Sequence, residues 1–322
     1  MTKWRLLVIV LLTAIAGPGY ACGLFSDRPV RLTGEEAAII YNGPQQPQHF
    51  IRTAKFSANN VGFIVPVPAR PEVTESDADL LLALKKLSIP PQRSGLSKGE
   101  LLGSSLEIID EKQVAGFTAT TLKASDASAL VGWLKDKGFA IKAAEEKWIN
   151  DYTADAGTDW HFIAFHFQNK KRDMVEMESK AIRISFTYPV PFYPYKEPQP
   201  ENPSLMAACT MPPRNMKLFL LAPQQNDYKP VFDRKVEDSY FTEAELCEGR
   251  PTSRSTPIAG TGMISQPRIV LNSAQLERAV GARGLPNEAN ILSASQSKAF
   301  ALYVYQDTQR LRNPANIHFV PE

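Results

Sequence analysis

The run PVPFYPYKEPQPENP, residues 189–203, places proline at positions 189, 191, 194, 198, 200 and 203. Proline fixes its own φ, lacks an N–H and pushes the preceding residue out of the helical region. No helix or central strand survives that density, so the segment is expected to run as an extended, polyproline-like strap. Tyr188, Phe192, Tyr193 and Tyr195 ride on it. Rings on a stiff scaffold lose little freedom on binding, which makes these four the candidate contacts for a protein or glycan partner. The same rings suit a crossover strap that packs back onto its own domain, since a large exposed aromatic patch is unusual on a monomer. The sequence leaves both arrangements open.

Around the strap the chain mixes strand and helix patterns. AIRISFTY (181–188) alternates, with Ile182, Ile184, Phe186 and Tyr188 on one side and Arg183, Ser185 and Thr187 on the other. That is a half-buried strand. AAIIYN, HFIRTAKFS, LEIIDE, FTATTLKA, WHFIAFHFQ, MKLFLLAP and KAFALYVYQ also read as strands. In VGFIVPVPA (61–69), Pro66 and Pro68 predict an early end or an edge position. Helices are expected over 74–91 with Ser76 as N-cap, over 125–139 with Ser125 as N-cap and Gly138 as stop, over 143–153, and over 273–280. Residues 223–268 read mostly as loop. The helix starts SDADLLLAL and SDASALVGWL look alike, but shared helix-start vocabulary explains two copies without a repeat architecture. Strands and helices that do not alternate strictly predict an α+β fold: mixed, mainly antiparallel sheets with a few short helices packed on them.

The first residues carry Lys3 and Arg5, then Leu6 to Ala16 without a charge. A basic start, a short apolar stretch and small residues at Gly19 and Ala21 match a secretory signal peptide over 1–21, cut between Ala21 and Cys22. Eleven apolar residues fall well short of the roughly 20 that cross a bilayer. Bulky Tyr20 argues against lipid attachment at Cys22. The remaining apolar runs are strand-sized, so no integral membrane segment is expected in the mature chain, which is placed in the periplasm or outside the cell. The mature part divides into an α+β domain over 22–187, the strap over 188–203, and a strand- and loop-rich part over 204–322 that either continues the first domain or stands apart.

Formal charge is +2, and Lys3 and Arg5 lie in the signal, so the mature chain is close to neutral. That balance offers no footprint for nucleic acid, and NKKRD (169–173) reads as a solvated turn. Of Cys22, Cys209 and Cys247, the last two share a Pro-rich, polar region. A bridge between Cys209 and Cys247 would close a loop worth about 4 kcal/mol in an oxidising compartment. Connectivity is not readable from sequence, and Cys22 is left free, bridged or lipidated.

Catalytic and metal patterns are poor. GLSKG (95–99) has the letters of a nucleophile elbow, but IPPQRS before it precludes the incoming core strand. His161 and His166 stand five apart on a strand, on opposite faces, and do not share an ion. DYTADAGTD (151–159) spaces its carboxylates like a calcium loop but has Ala156 and Phe162 where Gly and Glu belong. No cysteine has a second ligand at zinc spacing. The expectation is no catalytic residue, no metal site and no cofactor.

Taken in order, the export signal, ACG at the mature start, VGFIVPVPARPEV, ASDASALVGWLKDKGFAI and AIRISFTYPVPFYPYKEP resemble an uncharacterised exported bacterial family known as domain of unknown function 2330. The resemblance spans about residues 20–200. It implies an exported bacterial protein with no established activity, so it brings no site residues. The leading expectation is therefore a non-catalytic module of the cell envelope that binds a protein or glycan through the strap. The alternative is a secreted hydrolase whose site is assembled from distant residues, which two carboxylates in a pocket or a histidine beside a nucleophile would favour.

Overall fold

In the computed structural model, which describes residues 24–25, 31–58, 60–77, 79–88, 111–123, 126–168, 175–178, 180–198, 215–233, 264–281, 299–307 and 315–322, the apolar and alternating runs become strands. β1 (Leu24–Phe25), β2 (Arg31–Ile40), β3 (Pro47–Ala58), β4 (Asn60–Val67) and β5 (Glu72–Ser76) precede helix α1 (Asp79–Leu87). β6 (Glu111–Val114) and β7 (Phe117–Lys123) lead into α2 (Ala127–Asp136) and α3 (Ala143–Thr153). Then come β8 (His161–Gln168), β9 (Val175–Glu178), β10 (Ala181–Thr187) and β11 (Phe192–Tyr193). β12 (Met216–Pro223), β13 (Tyr228–Phe232), β14 (Ile264–Ser265) and β15 (Ile269–Asn272) precede α4 (Ser273–Gly281), β16 (Ala299–Asp307) and β17 (Ile317–Pro321). The class is α+β, as the unordered mixture of strand and helix patterns implies.

The central nine-stranded sheet runs β14-β16-β12-β2-β3-β10-β5, with β15 on β16 and β9 on β3. Its middle is the parallel pair of β12 with β2, Met216–Leu221 against Glu35–Ile40. Strands from 204–322 thus continue the sheet begun near the N-terminus. Interior strands of this kind are buried on both faces, which is why AAII and LFLLA read as unbroken apolar runs. One face packs on α1 and α4, with Ala38, Ile40, Ile51, Phe219, Leu221, Leu302 and Val304 against Leu80, Leu84 and Leu276. The other, carrying Ile39, Phe50, Leu218, Leu220 and Tyr305, joins the larger cluster with the five-stranded sheet β1-β4-β8-β7-β6. A small third sheet, β11-β17-β13, closes one end. β13 lies inside the stretch expected to be loop: its pairing with β17, ninety residues on, supplies hydrogen bonds no local pattern announces.

Helix ends follow from local chemistry, with one shift. In α2 the N-cap is Asp126, not Ser125, its carboxylate accepting from the backbone N–H of Ser128 and Ala129. In α1 the equivalent residue, Asp77, accepts from Asp79 N, while Ser76 is still paired with Ala181 in the sheet. An aspartate cap also brings negative charge to the helix's positive end. At the other end of α2, Gly138 adopts φ +84°. Its N–H donates to Lys135 O and the Phe139 N–H to Leu134 O, a Schellman closure.

That closure aims Phe139 at β4. Its ring lies 4.8 Å from that of His166 on β8, tilted by 35°, and directly over Gly62. A Cβ on Gly62 would come within 2.5 Å of the ring's Cδ1. Because Phe139 is buried and pinned by the turn, Gly62→Ala is expected to destabilise the fold by about 1–3 kcal/mol, read from urea unfolding. Pro66, four residues on, lies beyond the reach of β1, which pairs only Phe63 and Gly62. Among the described residues, Pro66 is paired on one side only, with Phe162 of β8, an edge position a proline tolerates.

Several residues singled out by sequence lie outside the described residues: the signal segment with Ala21 and Cys22, Cys209 and Cys247, GLSKG (95–99) and NKKRD (169–173). Among the described residues, no helix is long and apolar enough to cross a membrane.

Candidate functional site

The strap does not lie outside. Phe192, Tyr193 and Tyr195 are each fully buried, and the burial continues through Pro198. This corrects the expectation of an exposed aromatic surface at those three positions. Two residues apart on extended chain, Tyr193 and Tyr195 point the same way, down onto the central sheet. Beneath them Glu35, Met216 and Asp307 are register partners on β2, β12 and β16, forming a row on one face. The Tyr195 hydroxyl donates to Asp307 Oδ2 at 2.9 Å. The Tyr193 hydroxyl lies 2.9 Å from Met216 Sδ and 3.4 Å from Glu35 Oε1. Glu35 is paired at 3.3 Å with Arg52 of β3, whose guanidinium sits 5.0 Å above the Phe63 ring of the second sheet.

Proline density is what permits this burial. A buried segment must satisfy every backbone N–H, and proline has none. Several of the remaining N–H groups are met by identifiable acceptors. Gln48 accepts from Phe192 N at 3.0 Å and donates to Phe192 O at 3.3 Å. Tyr195 N donates to Tyr193 O, and Lys196 N to Asn316 Oδ1. Beyond the tyrosines, Lys196 is 4% exposed, bonded to Asp151 at 2.9 Å and held 4.8 Å over the Tyr152 ring. Trp148 Nε1 donates to Lys196 O, and the Tyr152 hydroxyl donates to Asn316 Oδ1. The strap is thereby stitched to α3 and to the chain just before β17.

Tyr188 is the exception among the four rings. It is half-buried, with exposed Pro189 beside it. Its ring lies 6.0 Å from Phe192 and 5.9 Å from His318. His318 stands between Phe192 and Val231 in the register of the small sheet, and Val231 is 41% exposed. Tyr188, His318 and Val231 thus form an open shelf. Two exposed carboxylates, Asp155 and Asp233, bear electrostatically on the Tyr188 hydroxyl. Asp155 accepts from Trp160 Nε1 at 3.0 Å and from Gly157 N at 3.1 Å. Asp233 accepts from Asn316 Nδ2 at 2.9 Å and from Asn316 N at 3.1 Å. Burial, then Asp155, then Asp233 hold the Tyr188 hydroxyl above the ordinary tyrosine range. Burial lowers the His318 pKa, which Asp233 partly offsets.

A histidine does stand beside a nucleophile, and sequence reading missed it: His49 Nδ1 is 2.8 Å from Ser185 Oγ. The two are cross-strand partners, 136 residues apart in sequence, so no local spacing reveals them. Arg183 neighbours the pair and donates from Nε to Thr74 Oγ1 at 3.0 Å. The arrangement is poor for acyl transfer. β10 is paired on both sides at Ser185, with His49 and with Glu72, so its backbone is committed to ladders and not to an oxyanion. Burial, and secondarily Arg183, push His49 down to about 4, too weak a base at neutral pH. Two carboxylates also share the row under the strap, but Glu35 and Asp307 are sealed at 2% and 0% exposure.

His49 does shape pH stability. Unfolded, it titrates near 6.5; folded, near 4. Between those values the unfolded chain binds more protons, so stability present above pH 6.5 is lost as pH falls toward 4, by up to about 3 kcal/mol. His49→Gln is expected to flatten this part of the decline in urea midpoints measured from pH 7 to 4.5.

The other sequence candidates resolve into separate partnerships. His161 Nδ1 lies 2.9 Å from Asp159 O, while His166 meets the ring of Phe139 from the turn after α2. In 151–159 the carboxylates diverge: Asp151 binds Lys196, Asp155 binds Trp160, and Asp159 pairs with Lys123.

Fold and site together define an α+β protein of layered sheets, closed by a buried aromatic strap, with one of its four rings, Tyr188, left half-open beside His318. The chain belongs to the family described as "Uncharacterized protein conserved in bacteria (DUF2330)", which matches residues 19–225. No curated protein matches the chain. The matched region ends just after β12, so β16 and β17, which complete the sheets and supply Asp307 and His318, lie beyond it.

Proposed function

We propose that the protein is an exported, non-catalytic module of the cell envelope that binds a glycan through the Tyr188 shelf. Export is supported by the basic, apolar and small-residue order of residues 1–21. The observation that carries the binding site is the exposure pattern of the strap: three rings are withdrawn into the core and Tyr188 alone is left half-open. A half-open ring beside an imidazole suits a polyhydroxy ligand, whose C–H face stacks while its hydroxyls bond to the imidazole. The mature protein is expected to co-sediment with purified envelope glycan, and Tyr188→Ala to abolish retention while the melting profile stays cooperative. Equal retention of wild type and Tyr188→Ala would overturn the reading. Intact mass of the exported product should correspond to a chain starting at Cys22.

The hydrolase alternative has one observation in its favour, the His49–Ser185 contact. It demands that a fluorophosphonate probe label Ser185 and that Ser185→Ala remove the label. The committed backbone at Ser185 predicts no labelling above denatured controls.

A further inference from the structure

We infer that the glycan is held over two consecutive sugar rings, the first stacked on Tyr188 and the second resting on Val231, with the His318 imidazole bonding to hydroxyls of both. The inference rests on the glycan reading above and adds the length of ligand that the shelf takes. Ring distances and strand register place the three residues. The Tyr188 centroid lies 6.0 Å from Phe192 and 5.9 Å from His318, and those two rings are 5.3 Å apart. Phe192, His318 and Val231 are register partners across β11, β17 and β13, so their side chains share one face of the small sheet. Exposure rises along that row, from sealed Phe192 through half-buried His318 to exposed Val231. The row thus leads out of the core, with Tyr188 against its inner end. Half-buried Val320, two residues past His318 on β17, lies on the same face and diagonal to Val231, which widens the apolar floor there.

Apolar surface alone does not select a sugar; polar atoms must meet its hydroxyls. Among the described residues, the Tyr188 hydroxyl and both ring nitrogens of His318 make no hydrogen bond to the protein, and none of the three is sealed from solvent. Polar atoms of half-buried aromatic side chains ordinarily find a partner. Here they are open to a ligand. Burial lowers the His318 pKa, so at pH 7 the imidazole is neutral, with one nitrogen donating and the other accepting. It stands between the Tyr188 ring and Val231, about 5 Å from the latter across the strand pair, and so serves hydroxyls of adjoining rings.

The test titrates the mature protein with mono-, di- and tetrasaccharides cut from the purified envelope glycan, read by ligand-observed NMR. The disaccharide is expected to bind roughly tenfold tighter than the monosaccharide, through apolar contact at Val231 and a further hydrogen bond. The tetrasaccharide should gain less than about threefold over the disaccharide. Val231→Ser should erase the disaccharide's advantage and leave monosaccharide binding unchanged. His318→Phe, which keeps a ring and loses both nitrogens, should weaken the disaccharide by about tenfold, and His318→Gln, which restores a donor and an acceptor, should lose less. Equal affinity for one ring and two, or an advantage that survives Val231→Ser, overturns the inference and leaves the glycan reading standing. So does a steady gain with every ring up to four, or retention on whole glycan without disaccharide binding. No binding of any fragment, together with no retention on envelope glycan, overturns both.

Discussion

Arg52→Ala is expected to cost about 3–5 kcal/mol of unfolding free energy, because it removes the guanidinium charge paired with the buried Glu35 carboxylate. The two side chains are 4% and 2% exposed and lie 3.3 Å apart on adjacent strands. Arg52 also reaches the Phe63 ring, so the guanidinium bridges the two large sheets. Neither side chain is easily hydrated on losing the other, and Tyr193 above Glu35 denies water an easy entry. Replacing both, as Glu35→Leu with Arg52→Met, should recover most of the loss, since a buried ion pair is often no better than apolar packing of similar volume. Urea unfolding of the two single variants and the double variant gives the coupling energy directly. A loss below about 1 kcal/mol for Arg52→Ala would mean that solvent reaches this pair.

Tyr193→Ala is expected to lower stability by about 3–5 kcal/mol, the cost of emptying a fully buried aromatic site. Tyr193→Phe removes only the hydroxyl contacts to Met216 and Glu35 and should cost about 1 kcal/mol. Tyr188→Ala, at a half-buried position on the same strap, should cost far less than Tyr193→Ala yet remove glycan retention. The order of stability losses in thermal or urea melts is the critical measurement. A strap resting on the surface would make all three variants mild, and the buried arrangement makes only the Tyr193→Ala change severe.

Much of the secondary structure was legible. Helix 143–153 lies where its pattern places it, and Gly138 stops α2 as expected. At α2 the cap falls one residue later than expected, on Asp126, and at α1 Ser76 is engaged by β10, so that Asp77 accepts from the helix start. β13 was invisible because its partner is remote. The candidate site was legible in part. All four aromatics belong to one structural unit, but sequence had no means of ranking Tyr188 apart from the rest, since stiffness under proline is compatible with either surface or core. Asp155, Asp233 and His318 come from three distant segments, and the His49–Ser185 contact from two.

From the order of its residues alone, this chain was expected to form short helices opening at the two SDA stretches, strands along its apolar and alternating runs, and an extended path through the proline run. These are consequences of φ restriction, side-chain periodicity and local hydrogen bonding, which act over a few residues. Which side of the strap faces inward was decided only when β2, β12 and β16 aligned Glu35, Met216 and Asp307 into a row that two tyrosine hydroxyls could meet. Burial depends on what the rest of the chain brings alongside, and that surface is supplied here by Glu35, Met216 and Asp307, from near the start, the middle and near the end of the chain.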